Sequence, residues 1–411
     1  MQDATHVLTD SQINVSIDAS VFTVAHDFAL DVVAGGVVSN SIDLHAVGVL
    51  NLAPICAPTA TFPQGPEGVA IDDSLHIAFV TNYACNSVSL ITINPQGFVK
   101  SDKTVVPYGS VLTTVTVGNN PLGVAVIPRL GYAVVANSGD TPNGTASIID
   151  YNHYNTPDTA AVVPITTTSG TTTTTTNSVT VGLAPRGVAI DQDRALALVA
   201  NSGSNTLSSI DLTVLLPGAV TTTTPTATTV ALSGPPTAIA ISPDQALAAV
   251  TNLQNTGTSS AAAGIDVVAL SGPVPVRSTT ASVASLTASL TGIVFDPAPA
   301  FNPTPTDAVF YATSTQQNAV YSFDPTTGTT NTIRVGMNPY SLGYNYQTGT
   351  LLTINSTSNT SSIVDSQNLK TRQTLGITSQ SQFAVAVDNW FNTAVIADQN
   401  NNRVLLLALP K

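Results

Sequence analysis

Few side chains in this sequence can do acid–base, metal or nucleophilic chemistry, and their positions decide how each is read. Of the five histidines, His6, His26 and His45 precede residue 50, which leaves His76 and His153 for the rest of the chain. Neither has a second histidine at ligand spacing, as a histidine metal centre requires. Aspartate is the only plentiful acid. Asp72, Asp191, Asp296 and Asp388 close one kind of short segment, and Asp150, Asp211, Asp324 and Asp365 close another. Converging carboxylates could hold Ca²⁺. A carboxylate that recurs with a repeat is better explained as an acceptor for backbone N–H groups in its own turn. Glu67 is the only glutamate, and no Gly-rich phosphate loop, G-x-S-x-G elbow or H-E-x-x-H motif occurs. Nothing resembles a nucleophile–base pair. These residues predict no catalytic group, no metal and no cofactor.

The remaining unrepeated residues stand at one repeated position. Aligning the chain on the small residue of "P-x-G-V-A-I" gives copies at Gly68, Gly123, Gly187, Ala238, Gly292, Ser341 and Ala384, separated by 43 to 64 residues. The residue before each is Glu67, Leu122, Arg186, Thr237, Thr291, Tyr340 or Phe383. This set is chemically mixed, with one acid and one base, and its aromatic members suit a peptide or glycan. Glu67, Arg186, Tyr340 and Phe383 are therefore the candidate binding rim, with Tyr83 and Trp390 as further unrepeated aromatics.

A repeat near fifty residues suits four strands per unit, hence a propeller blade, and seven copies predict seven blades. The composition agrees. Charged residues are 9% of the chain and Thr, Ser, Val and Ile abound, which favours strands over exposed helices. Segments such as "GVAID" suit a crowded inner strand. "ALALVAN" reads as a second strand covered on both faces. "TLSSID" alternates, which predicts a third strand with one less buried face. Threonine-rich segments such as "NSVTVG" fit the solvent edge. The insertions at Thr166–Ser178 and Thr221–Thr229 are expected to lengthen outer hairpins. Pro66, Pro121, Pro185, Pro236 and Pro339 precede the inner strand, where no ladder N–H is required.

"FVTNYACNSVSLI" (Phe79–Ile91), "VVANSGDTPNGTASIID" and "LVANSGSNTLSSID" resemble the YVTN-type β-propeller repeat, a relative of NHL-type propellers. The resemblance spans about Pro58 to Lys411 and is strongest in the first four blades. Where Asn82, Asn137, Asn201, Asn252 and Asn355 stand, blade five is aligned with Thr313 and blade seven with Asp398. It implies an all-β, seven-bladed β-propeller of four-stranded antiparallel blades over residues 51–411. The last segment, "RVLLLALPK", reads as a third strand, so a clasp strand near 58–62 ("PTATF") is expected to complete blade seven. In residues 1–50, "FALDVVAGGVVSNSIDLHAV" resembles the trailing half of an IPT/TIG immunoglobulin-like domain, through Gly35, Gly36, Ser39 and Asn40. The other reading of this short β segment is an eighth blade.

A net charge of −13 opposes nucleic-acid and anionic-membrane binding, since both need Lys and Arg to displace counterions. No run of 18 apolar residues exists, so no membrane insertion is expected. The opening "MQDATHVLTD" lacks the basic and apolar regions of a signal peptide. The Thr/Ser/Asn-rich, lysine-poor surface nonetheless suits a secreted or cell-surface protein. In that setting Cys56 and Cys85, the only cysteines, either pair or remain two thiols on opposite faces. The function expected is non-catalytic recognition or scaffolding with a protein, peptide or glycan ligand. The alternatives are a lactonase-like or lyase-like propeller with a divalent ion in its channel, and a structural spacer in a large surface protein.

Overall fold

Five of the seven inner strands start with proline, and each inner strand pairs with a second strand that is mostly apolar and buried and ends in a polar residue. The computed structural model describes residues 27–30, 33–34, 37–38, 42–45, 47–51, 65–151, 157–169, 172–216, 225–242, 246–253, 264–270, 275–277, 289–297, 309–325, 329–376 and 384–409. Within these, the chain forms a seven-bladed β-propeller whose blades are antiparallel. Blade one runs inside to outside through Pro66–Asp72, Ile77–Asn82, Ser87–Thr92 and Val111–Thr116. The inner strands of blades two to seven are Pro121–Ile127, Pro185–Asp191, Pro236–Ser242, Leu290–Asp296, Pro339–Asn345 and Ala384–Asp388.

The core is divided among the blade interfaces. Along Ile77–Asn82, Ile77 and Phe79 pack toward blade two, while Ala78 and Val80 pack toward blade seven. Alternate side chains of one strand thus serve two interfaces, which is why the second strands carry no polar alternation. Separate apolar clusters fill the contacts between blades two and three, three and four, four and five, five and six, and six and seven.

The third strands differ from expectation. Ser87–Thr92 is buried at every position, and Ser208, Ser209, Ser361 and Ser362 are also buried. Both faces of "TLSSID" are therefore covered, with Leu207 and Ile210 packed in different blade interfaces. Hydroxyls on one of the two faces are bonded by the asparagine that ends the second strand. Asn82 Nδ2 donates to Ser87 Oγ (3.1 Å) and Ser89 Oγ (2.9 Å). Asn201 does the same to Thr206 and Ser208, and Asn355 to Thr360 and Ser362. The left-handed turn residue is another asparagine four positions on: Asn86, Asn205 and Asn359 have φ of 51°, 53° and 54°. In blade five the register pairs Leu290 with Ser314 as it pairs Pro66 with Asn82, so Ser314, not Thr313, is the counterpart of the asparagines.

The outer strands lie at the solvent edge. Lys370–Gly376 alternates exposed and half-buried positions throughout. In blade two the outer place is shared by Ala161–Val162 and Val179–Thr180, both paired with Thr145–Asp150. The threonine insertion between them forms its own hairpin, Ile165–Ser169 with Thr172–Thr176. The second insertion runs into Ala227–Ala231, the outer strand of blade three.

Blade seven is completed by Val47–Asn51, which pairs antiparallel with Arg403–Leu407. The strand in that place is therefore upstream of Pro58–Phe62, a segment outside the described residues. A boundary at 50/51 falls inside this strand. Before it, Asp27–Leu30 pairs with Ile42–His45, and Val33–Ala34 with Val37–Val38, as nested rungs of one hairpin.

Candidate functional site

Each described rim residue lies in a backbone irregularity. The inner strands of blades one to six pair normally at their first residue, proline in all but blade five, then slip register before the apolar run: between Pro66 and Val69, Pro121 and Val124, Pro185 and Val188, Pro236 and Ala238, Leu290 and Ile293, and Pro339 and Ser341. These bulges hold Glu67, Leu122, Arg186, Thr237, Thr291 and Tyr340. A bulge frees one residue from the ladder and re-aims its side chain. All six line one cavity of about 220 Å³ at the end of the central channel. Phe383 lies outside the described residues, although Ala384 and Val385, which follow it, line the same cavity.

Where a glycine follows the rim residue, at Gly68, Gly123, Gly187 and Gly292, close approach between blades requires it. A Cβ on Gly68 would stand 2.0 Å from the Leu122 carbonyl oxygen, and one on Gly123 would stand 2.2 Å from that of Arg186. Thr81 Oγ1 ties the same junction, accepting from Gly68 N–H at 2.7 Å and donating to Leu122 O at 2.7 Å. Thr313 occupies the matching place in blade five, accepting from Gly292 N–H and donating to Tyr340 O. The rim backbone is thus held from blade to blade, and the rim side chains are free to differ.

The charges in the cavity are Glu67 and Arg186. Glu67 is partly buried and its carboxyl is pushed up to about 7 by loss of solvent, with the Arg186 guanidinium opposing that rise. Gln399, from blade seven, donates its side-chain amide to Glu67 Oε1. The alignment of repeats found Glu67 but not Gln399, which is brought to it only by ring closure. At the rim positions Tyr340 and the two threonines are polar and Leu122 is apolar, while Val69, Val188, Ile293 and Val385 are among the apolar residues lining the cavity beneath.

The aspartates lie mostly elsewhere, at the opposite end of the inner strands. Asp72 Oδ1 accepts from Ser74 N–H and Leu75 N–H, Asp191 Oδ1 from Asp193 N–H and Arg194 N–H, and Asp388 Oδ1 from Trp390 N–H and Phe391 N–H. Their second oxygens are held by Tyr151 OH, Arg194 and His76 Nδ1, each at 2.7 Å. His76 is therefore a link between blades one and seven, its ring also lying 4.3 Å from that of Phe391. Trp390 sits in this same set of turns and is 67% exposed, so it does not overhang the rim. Among the described residues, no three of His, Cys, Asp and Glu gather in a group that could hold a metal ion. Cys85, in the short turn Tyr83–Cys85 after the second strand of blade one, is disulfide-bonded, while Cys56 lies outside the described residues.

Fold and site together define a seven-bladed β-propeller with a small, mixed-charge mouth at one end of its channel. No known family model matches the chain, and no curated protein does. Among solved structures it is similar to Kuenenia stuttgartiensis hydrazine synthase, with a TM-score of 0.61 and 14% identity. That likeness covers 86% of this chain and 98% of the other. At that identity the likeness is one of fold.

Proposed function

We propose that the chain is a non-catalytic recognition propeller of the YVTN/NHL repeat type, secreted or displayed at a cell surface, preceded by an IPT/TIG-like segment. Its ligand, a protein, peptide or glycan, engages the channel mouth. The observation that carries this reading is where the repeat stops repeating. At the bulge position, and in one cavity, an acid, a base and a tyrosine replace the small or apolar residues of the other blades. The backbone there is fixed by inter-blade hydrogen bonds, so the mouth is a rigid frame with variable side chains, which favours binding over folding as the reason for the variation. The disulfide at Cys85 supports an oxidising compartment.

The test is retention of the labelled protein on mixed peptide and glycan arrays, with Tyr340→Ala and Arg186→Gln compared with the parent. Ligands held by the parent and lost by both variants are expected. Retention unaffected by either variant would place recognition elsewhere, and no retention at all would favour the spacer role.

A further inference from the structure

We propose that the channel mouth recognises a carboxylate, carried on the tip of its ligand and seated on the guanidinium of Arg186. This rests on the recognition reading of the same mouth and names the group recognised.

The chain has seven arginines, and six are occupied. Arg194, Arg277, Arg372 and Arg403 form ion pairs with Asp191, Asp266, Asp365 and Asp398. Arg129 and Arg334 donate to backbone carbonyls of Gln192 and Gln317. Arg186 differs. Among the described residues its guanidinium makes no hydrogen bond or ion pair, and it acts on Glu67 only through the field across the cavity. In so acidic a chain, a half-buried arginine at a cavity mouth whose guanidinium has no protein acceptor is open to one from a ligand.

Glu67 does not complete it. Its carboxyl is already bonded by Gln399 and is held largely protonated below neutral pH by burial. The rest of the wall brings no second charge, and the Thr237 hydroxyl already donates to the Leu290 carbonyl. A guanidinium fork matches a carboxylate through two parallel hydrogen bonds. Arg186 is the one basic residue in the cavity lining, so a singly charged carboxylate is balanced there while a phosphate dianion leaves a negative charge uncompensated. The cavity, about 220 Å³, is smaller than the roughly 300–1,000 Å³ of sites that enclose whole small ligands. It accepts an acidic terminus or side group. Ionisation of Glu67 above neutrality faces Arg186, the charged group across the mouth, and competes with the ligand for it.

The experiment is phenylglyoxal modification of the full chain, read by peptide mapping. The probes are N-acetylated tripeptides with free or amidated C-termini, glucuronate against glucose, and inorganic phosphate. Arg186 is expected to react faster than the ion-paired arginines. The acid of at least one pair should slow that reaction several-fold while its uncharged twin does not. A peptide acid and a sugar acid that differ in protection identify the source of the carboxylate. Protection should weaken from pH 6 to pH 8, and Glu67→Gln should remove that dependence. Equal protection by acid and twin, stronger protection by phosphate, or no protection by any probe overturns the assignment. The array result separates the two failures: ligands lost with Tyr340→Ala but indifferent to charge leave recognition standing without the carboxylate.

Discussion

Replacing Glu67 by glutamine should stabilise the protein at alkaline pH and leave it almost unchanged in acid. The Glu67 carboxyl titrates near 7 in the folded chain against an ordinary value of 4.5, with burial as the main cause. Below pH 4.5 the group is protonated whether the chain is folded or not, and its contribution to folding is at its most favourable. As pH rises from there, the unfolded chain releases the proton while the folded chain keeps it, so stability falls. The loss is complete above about pH 7. The gap corresponds to at most about 3 kcal/mol, reduced by whatever water reaches the mouth. Glutamine keeps an oxygen to accept the Gln399 amide and cannot ionise. Denaturant midpoints for parent and variant at pH 5 and pH 8 test this. Asp73, also pushed up by burial to about 6, bends the parent curve in the same direction, so the difference between the two proteins is the informative quantity. A variant that loses as much stability as the parent between pH 5 and pH 8 would refute the reasoning.

Three further outcomes are expected. Gly123→Ala should cost about 2–3 kcal/mol, because its methyl would stand 2.2 Å from the Arg186 carbonyl oxygen, whereas Gly376→Ala, with open space around it, should be near neutral; equal unfolding midpoints would contradict the crowding argument. Removing residues 1–51 should lower the unfolding midpoint and promote aggregation by exposing the edge of Arg403–Ala408, while removing 1–41 keeps the closing strand and should not; light scattering and thermal melts that fail to separate the two would refute closure through Val47–Asn51. Alkylation of the unfolded, unreduced protein should find no free thiol, because Cys85 is disulfide-bonded and the sequence holds one other cysteine, Cys56; closing a loop of that length would be worth about 3–4 kcal/mol, and two labelled thiols would exclude the bridge.

The blade count, the four-strand unit and the rim positions were legible in the sequence because each is written once per repeat. Strand patterns are local, and aligning "PEGVAID" with "PRGVAID" puts Glu67 and Arg186 on the same ring before any coordinates are known. What was not legible depends on contacts between repeats. The burial of Ser208 and Ser362 follows from a neighbouring blade covering their face, and the Asn201 and Asn355 amides that satisfy them are placed by that packing. The small residues of "GVAID" record the crowding at the axis, but the register slip that places the rim residues in six inner strands is not written in a single copy. Closure by Val47–Asn51 and the meeting of Gln399 with Glu67 join residues hundreds of positions apart. That Arg186 alone among the arginines faces a cavity without an acceptor is a property of distances. Repetition in the chain determined the architecture and the list of candidates; closure of the ring decided which candidates meet, because only a closed ring brings the first and last blades into contact.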